Sequence, residues 1–337
     1  MRYFQCQGNP MPLVRPSLVR PFAALRPAPG RAPEVIAPPY DVLNTEEARI
    51  LAEGRPWSFL HISKPEIDLP AGTDPYAPQV YAKAAENLKK MRDAGVLLRD
   101  EVACYYAYRL IMNDHVQVGL VAATSVADYD SNRIRKHEFT RPDKEDDRVR
   151  QIDALNAQTG PVFLTYKHNA AIDELAAKVT AAAPEIDIVA DTGVRHSLWV
   201  VSDAAQLDLI TGTFDAMDCL YIADGHHRSA AASRVHAARG GQPSEHGVFL
   251  AVVFPHDQMQ ILAYNRLVRD PHRRTPEALL AALRGVWDLE PAPAPAPEAP
   301  LAFGVYLGKR WWRARVRPGS YDAADPVAAL DCSIAQD

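Results

Sequence analysis

Residues 219–238 read CLYIADGHHRSAAASRVHAA and combine a strand, a tight turn and a helix in direct succession. The apolar run 220–223 is short and bounded, as a buried strand is. Asp224 and Gly225 have turn chemistry, and the alanine-rich segment after them favours a helix that ends at a glycine pair. We therefore expect Asp224 to be the N-cap of a helix whose first turn contains Gly225 and the three residues that follow it.

The first turn of this helix is predicted to bind an anion. Its free backbone N–H groups and the positive end of the helix dipole attract negative charge. Gly225 would let a phosphate approach the backbone, and Arg228 carries a planar fork of donors suited to phosphate oxygens. His226 and His227 lie in the same turn, where basic and imidazole side chains oppose the helix dipole unless an anion compensates them. The alternative is a capped helix with surface histidines and an arginine.

A second charged stretch, 134–148, reads IRKHEFTRPDKEDDR. Glu138 follows several basic residues, which places a carboxylate in basic surroundings. Pro142 predicts the start of a helix with acidic residues in its first turns. The alternative is a solvated charged loop before an acidic helix start, and electrostatics favours both of those features.

Length and composition exclude several classes of protein. The 337 residues carry a net charge of −5, so there is no basic field for a nucleic acid and we expect no nucleic-acid partner. No apolar run approaches the roughly 20 residues of a membrane helix, and no secretory signal is present, so we expect no membrane association. The cysteines form no C-x-x-C pair, which argues against zinc or disulfides and favours a reducing cytoplasm. They are Cys6, Cys104, Cys219 and Cys332.

The order of predicted helices and strands indicates a mixed α+β chain, more α+β than doubly wound. Short strands are predicted at 57–63 and 260–263, among others. Alternating proline and alanine at 291–300 predict a stiff extended linker. The expected regions are a disordered tail at 1–15, an N-terminal α/β region packed on the core at 16–130, the core with an insertion at 131–290, the linker at 291–300, and a C-terminal hairpin, predicted to be truncated, at 301–337.

The two charged stretches resemble motifs of the free-serine kinases, nucleotide-dependent enzymes with a ParB/sulfiredoxin-like fold. Residues 224–228 match their D-G-H-H-R motif, and His137-Glu138 resembles their P-H-E element, with Lys136 in place of the proline. Over nearly its whole length the chain is similar to a bacterial family called domain of unknown function 1015. The residues that carry this second similarity are Arg20-Pro21-Phe22, Pro38-Pro39-Tyr40-Asp41-Val42, His137-Glu138-x-Thr140, Lys144-Glu145-Asp146 with Arg148, and the turn Asp224–Arg228.

The resemblance implies a ParB/sulfiredoxin-like nucleotide-binding core and phosphoryl transfer from ATP or ADP, with Mg²⁺, to a small hydroxyl compound such as L-serine. Glu138 would accept the hydroxyl proton, and His137 would bind phosphate. The turn Gly225–Arg228 would hold phosphates, with His226 or His227 donating to their oxygens. Asp224 would either cap the helix or orient Mg²⁺. Candidates for the acceptor pocket or its support are Tyr40, Asp41, Thr140, Lys144, Arg148 and Arg266.

Two other functions stay open. A ParB-like nucleotide-binding switch, either non-catalytic or hydrolysing its nucleotide, would use the same phosphate site and would bind without Glu138. A metal-dependent hydrolase would use His137, His226 and His227 as ligands, since histidine is a good ligand for zinc. Against the hydrolase, two adjacent histidines on a helix do not share a face.

Overall fold

The computed structural model describes residues 16–242, 244–262, 265–269, 272–293 and 299–335, and the predicted tail at 1–15 lies outside them. The chain divides into two compact units, Met1–Ile261 and Leu262–Asp337. Helices and strands are mixed in both, and the first is built on a large mixed sheet, which confirms the predicted α+β class. In the described part of the chain, no helix is both long enough and apolar enough to cross a membrane.

The strands of the first unit are, in chain order, β1 (Val19–Arg20), β2 (Leu25–Pro27), β3 (Leu97–Arg99), β4 (Tyr105–Met112), β5 (His115–Ser125), β6 (Ile134–Arg135), β7 (Val162–Tyr166), β8 (Ile186–Val189), β9 (Arg195–Val201), β10 (Leu220–Asp224) and β11 (Val248–Pro255). Nine of them form one sheet in the order β6-β10-β7-β11-β5-β4-β9-β8, with β1 paired to β5. β10 runs parallel to β6, and β11 runs parallel to β7. The boundary predicted at residue 130 therefore falls between strands of a single sheet.

The helices of the first unit are α1 (Ala32–Val35), α2 (Thr45–Ala52), α3 (Leu60–Ser63), α4 (Pro78–Asp93), α5 (Val126–Asp130), α6 (Pro142–Leu155), α7 (Ala170–Thr180), α8 (Ala204–Asp215) and α9 (His226–Ala238). Short 3₁₀ helices occupy Tyr40–Val42, Pro65–Asp68, Glu245–Gly247 and His256–Gln258. Local sequence signals explain several helix starts. Asn44 caps α2 in a reciprocal arrangement with Glu47, and Pro142 is the first residue of α6.

Two hydrophobic clusters fix the elements that carry the site. The larger one joins the sheet to α7, α8 and α9, and includes Leu164, Phe214 and Ala232. The smaller one joins α4 to the end of α6 through Leu88 and Leu155. α9 and α6 are linked in turn by Arg234, whose guanidinium lies 3.1 Å from Glu145 and 2.6 Å from Asp146. α9 is thus held between the sheet and α6.

Two predicted strands are wrong. Residues 57–63 contain α3, because Leu60 and Ile62 pack into different clusters. Residues two apart face the same side of a strand, whereas in a helix they point roughly 200° apart. Residues 260–262 form no strand, and residue 263 lies outside the described part. β11 is already paired with β5 on one side and β7 on the other, so a returning strand finds no free edge beside it.

The second unit contains α10 (Pro276–Val286), β12 (Asp288–Ala292), β13 (Ala302–Leu307), β14 (Arg310–Arg315) and α11 (Asp331–Ile334). Its strands form an antiparallel sheet in the order β12-β14-β13. Pro291 and Ala292, the first residues of the predicted linker, belong to β12. Residues 294–298 of that linker lie outside the described part of the chain.

Candidate functional site

The sheet brings the two charged stretches of the sequence to one place. β6 and β10 run parallel, with Ile134 opposite Leu220 and Arg135 opposite Tyr221. Their carboxyl ends therefore lie side by side, and each leads into one stretch: β6 into the segment 136–141, and β10 into the turn before α9. We call residues 136–141 the site loop, and it ends where α6 begins.

The turn between β10 and α9 is built on Gly225. β10 ends at Asp224 and α9 begins at His226, with Gly225 as the N-cap at a φ of 98°, which glycine adopts without strain. The Gly225 carbonyl accepts hydrogen bonds from the N–H groups of Arg228 and Ser229, at 3.0 and 3.1 Å. The predicted N-cap role of Asp224 is wrong, because its carboxylate is directed to Arg228 and not to the helix amides.

Arg228 covers this turn. Its guanidinium donates to the carboxylate of Asp224 and to the carbonyl of Pro161, the residue before β7. A Cβ atom at Gly225 would lie 3.1 Å from the central guanidinium carbon of Arg228, so the side chain lies directly over the glycine. A phosphate reaches the Gly225 backbone only if this guanidinium binds it or turns aside.

Glu138 lies beside the first residue of α9. His226 Nδ1 is 3.5 Å from a carboxylate oxygen of Glu138, and His226 Nε2 accepts a hydrogen bond from the His137 N–H at 3.4 Å. The rings of His137 and His226 meet edge to face, with centroids 4.4 Å apart. His226 is 4% exposed, whereas Glu138 is 57% exposed. The buried imidazole thus faces the accessible carboxylate.

The electrostatics of His226 favour its neutral form. Burial lowers the pKa of His226, and the nearby His137 and His227 lower it further, against the opposing charges of Glu138 and Asp224. Since Nε2 accepts a backbone N–H, the neutral ring carries its proton on Nδ1, the atom that faces Glu138.

His227 contacts the other end of the site loop. Its Nε2 accepts a hydrogen bond from the Arg141 N–H at 3.1 Å. The two histidines predicted to donate to phosphate therefore use Nε2 as an acceptor for the protein backbone. Only their Nδ1–H groups stay available as donors.

Tyr40 and Arg148 form a second group of predicted residues. The Arg148 guanidinium carbon lies 4.1 Å from the centre of the Tyr40 ring, and Arg148 also pairs with Asp147 at 2.5 Å. Burial raises the pKa of Tyr40; the charges of Asp41 and Asp147 raise it, while those of Arg148 and Arg228 lower it. Tyr40 therefore lies within electrostatic range of both arginines.

Thr140 and Lys144 contact α6 and the segment before α4, respectively. The Thr140 hydroxyl donates to Glu145, whose second oxygen accepts from Arg234 at 3.1 Å. Lys144 donates to the Tyr76 hydroxyl at 3.0 Å, and this hydrogen bond raises the pKa of Lys144. Thr140 thus ties the site loop to α6, and Lys144 ties α6 to the segment before α4.

The last predicted residue belongs to the other unit of the chain. Arg266 lies in the second unit and is exposed there. Four contributors to the site were not predicted, namely Tyr76, Asp147, Pro161 and Arg234. Pro161 acts through its carbonyl, which carries no sequence signal, and Asp147 lies in the charged run of α6 without a feature that separates it from its neighbours.

A sequence model matches residues 19–333, almost all of the chain. It is the model of a family described as a protein of unknown function (DUF1015). The chain belongs to the DUF1015 family. It matches no curated protein and no solved structure. The resemblance of this DUF1015 chain to the free-serine kinases therefore depends on the two short motifs at 136–138 and 224–228.

The donor set of the DUF1015 site suits an anionic ligand better than a metal held by protein side chains alone. Among the described residues, no group of three or more His, Cys, Asp or Glu side chains is placed to hold a metal ion. The Nε2 atoms of His226 and His227, which a hydrolase would need for zinc, are engaged by backbone N–H groups. Cationic side chains are present instead, with Arg228 over the turn and Arg148 against Tyr40.

Proposed function

We propose that this DUF1015 chain has a ParB/sulfiredoxin-like nucleotide-binding core and transfers a phosphoryl group from ATP or ADP to a small hydroxyl compound, L-serine being the first candidate. The observation that carries the proposal is the contact between Glu138 and His226, which puts an accessible carboxylate against a glycine-started helix N-terminus. Phosphoryl transfer needs these two elements together, an anion site and a group that accepts the proton of the attacking hydroxyl.

The phosphate side of the reaction would use the first turn of α9. The unpaired N–H groups at the start of a helix and its dipole attract phosphate, and Gly225 provides the start. Arg228 would exchange its bonds to Asp224 and Pro161 for bonds to phosphate oxygens. The guanidinium already lies over the turn, so a rotation of the side chain is sufficient.

Glu138 would act as the general base. Its carboxylate is exposed enough to meet a substrate hydroxyl, and His226 Nδ1 lies 3.5 Å from one of its oxygens. A hydroxyl compound bound beside Glu138 would give up its proton to the carboxylate as its oxygen attacks the terminal phosphorus atom. Tyr40 and Arg148 would line the acceptor side, where the guanidinium provides a charge for an acidic group of the acceptor.

Mg²⁺ would enter with the nucleotide. Mg²⁺ is usually held by one or two carboxylates together with substrate phosphates and water, and the largely exposed Asp224 at the end of β10 fits such a site. The cation would supply neutralisation of phosphate charge.

The test is ³¹P NMR of the full chain with Mg²⁺ and ATP or ADP, with and without L-serine. We expect O-phosphoserine from the unmodified protein, and a rate lower by about 10²- to 10⁴-fold for Glu138→Gln, the usual contribution of a general base. The matched control is Glu174→Gln, the same change at an exposed position of α7. A control variant as slow as Glu138→Gln would remove the assignment of Glu138.

A second candidate, a nucleotide-binding switch, is favoured by the closed position of Arg228. Nucleotide binding would have to rearrange its bonds to Asp224 and Pro161, and such a rearrangement can be transmitted to β7. Nucleotide binding without phosphate transfer, equal in the unmodified protein and in Glu138→Gln, would favour the switch over the kinase.

A further inference from the structure

The site loop carries Glu138, and two of its largely exposed side chains still make ring contacts: the Lys136 ammonium lies 3.8 Å from the centre of the Tyr129 ring, and the His137 and His226 rings lie 4.4 Å apart. The side chains from Lys136 to Phe139 are exposed, and Phe139 is 99% exposed. Hydrophobic burial therefore does not fix the middle of the loop. Its position depends instead on these ring contacts and on hydrogen bonds, one of which the hydroxyl of Thr140 donates to Glu145.

Two backbone hydrogen bonds hold the loop on either side of Glu138. The His137 N–H donates to His226 Nε2, and the Arg141 N–H donates to His227 Nε2, at 3.4 and 3.1 Å. Neighbouring residues of a helix point roughly 100° apart, so adjacent histidines in one turn diverge and reach both ends of the loop. A single histidine could reach only one end.

We propose that His226 and His227 are positioning residues, whose imidazole Nε2 atoms clamp the two ends of the site loop to α9 and so hold Glu138 at the start of this helix. The adjacent histidines, which are poorly placed to share a metal ion, are suited to this role. The role of Glu138 in this proposal rests on the proposed function. The two hydrogen bonds of the clamp are a property of the folded chain and can be measured without substrate.

The experiment measures backbone amide hydrogen exchange, resolved to His137 and Arg141, in the full chain. In the unmodified protein both amides should be protected although the side chains around them are exposed. Exchange of either amide at the rate of an unstructured peptide would overturn the proposal, and this measurement needs no variant.

Two variants of His227 distinguish the loss of the hydrogen-bond acceptor from the loss of side-chain packing. His227→Leu removes the acceptor, whereas His227→Gln places an amide oxygen near the position of Nε2. We expect the Arg141 amide to lose about tenfold in protection in His227→Leu and to recover most of it in His227→Gln, as for the loss of one hydrogen bond. His236→Leu, the same change in the last turn of α9, should leave Arg141 unaffected.

The same changes at His226 should lower and restore the protection of the His137 amide in the same way. A loop released from α9 should also be cut faster by chymotrypsin after Phe139. Equal protection in His227→Leu and the unmodified protein would overturn the clamp. An equal loss of Arg141 amide protection in His227→Leu and His227→Gln would also overturn it, because the effect would then come from packing.

The outcome for the clamp is separable from the outcome for the proposed function. If phosphate transfer is present, His227→Leu should lower kcat more than it raises the KM for nucleotide, and His227→Gln should restore kcat. If protection changes as expected while no phosphate transfer occurs in the unmodified protein, the clamp is supported and the kinase proposal fails.

Discussion

His61 meets a carboxylate in a different way from His226. Its Nδ1 lies 2.9 and 3.0 Å from the two oxygens of Asp68, and its Nε2 lies 3.1 Å from the carbonyl of Arg55. Both nitrogens face acceptors, so the arrangement favours the doubly protonated, cationic form of the ring. The hydrogen bond to Asp68 raises the pKa of His61, against the effect of partial burial. Asn87 also donates to Asp68, at 2.8 Å.

The His61–Asp68 pair should make stability depend on pH. The pKa of His61 is raised in the folded state. The contribution of His61 to stability is therefore complete below the ordinary value of about 6.5 and is lost as pH rises through the folded pKa. Burial would raise the pKa of Asp68, but His61 and Asn87 lower it; its contribution is therefore present above about pH 4 and lost on acidification. The pair is strongest between these limits.

We expect the free energy of unfolding, measured in urea, to fall by on the order of 1 kcal/mol between pH 6 and pH 9 because this pair is lost. The contact is charge-assisted but partly exposed. His61→Gln should remove this part of the pH dependence. His236→Gln, the same change at a histidine of α9, should keep it. A pH dependence that is unchanged in His61→Gln would contradict the assignment.

At the scale of elements, the two ends of α9 provide a matched pair of glycines. Gly225 and Gly240 both have a φ of 98°. A Cβ atom at Gly225 would meet Arg228 at 3.1 Å, whereas a Cβ atom at Gly240 would meet none of the described residues within 4 Å. Alanine at either position should cost about 1 kcal/mol in backbone strain. Gly225→Ala should cost about 1 kcal/mol more, because the added methyl displaces the Arg228 guanidinium from Asp224 and Pro161.

Urea unfolding of both alanine variants gives the comparison directly. Their difference in unfolding free energy isolates the contact with Arg228, since the backbone strain is common to both. Equal losses of stability would mean that the position of Arg228 over the turn contributes nothing to the fold.

Elements with strong local signals could be predicted from the sequence. The hairpin of β4 and β5 turns at Asn113, whose φ of 55° suits asparagine, and α2 has a reciprocal cap at Asn44. Residues 57–63 have the composition of a strand, and only the two separate clusters that bury Leu60 and Ile62 make them helical. That information lies in distant residues.

In the candidate site, too, local signals could be predicted from the sequence and contacts with distant residues could not. The motifs at 136–138 and 224–228 could be found by chemistry, and their association follows from the pairing of β6 with β10. The sequence could not indicate that Nε2 of His226 and His227 would accept backbone N–H groups, or that Arg228 would bond to the carbonyl of Pro161. Side-chain orientation in a turn is set by neighbours from other elements.

At the scale of the whole molecule, all nine strands of the large sheet lie in the first unit. β1 and β4 to β11 all precede residue 262, as do the site loop and α9. Of the residues predicted for the site, Arg266 alone belongs to the second unit. The second unit has its own sheet, β12-β14-β13. A chain that ends at Ile261 therefore keeps every strand of the large sheet.

We expect such a fragment to fold and to bind Mg²⁺ and ATP with an affinity within about threefold of the full chain, because no sheet hydrogen bond and no side chain of the site loop or of the turn at Gly225 is removed. Circular dichroism and urea unfolding test the fold, and calorimetric titration tests the binding. The control is Arg266→Ala in the full chain. A folded fragment that has lost nucleotide affinity, together with an equal loss in Arg266→Ala, would show that the phosphate site needs a cation from the second unit, and Arg228 would no longer be its main charged ligand.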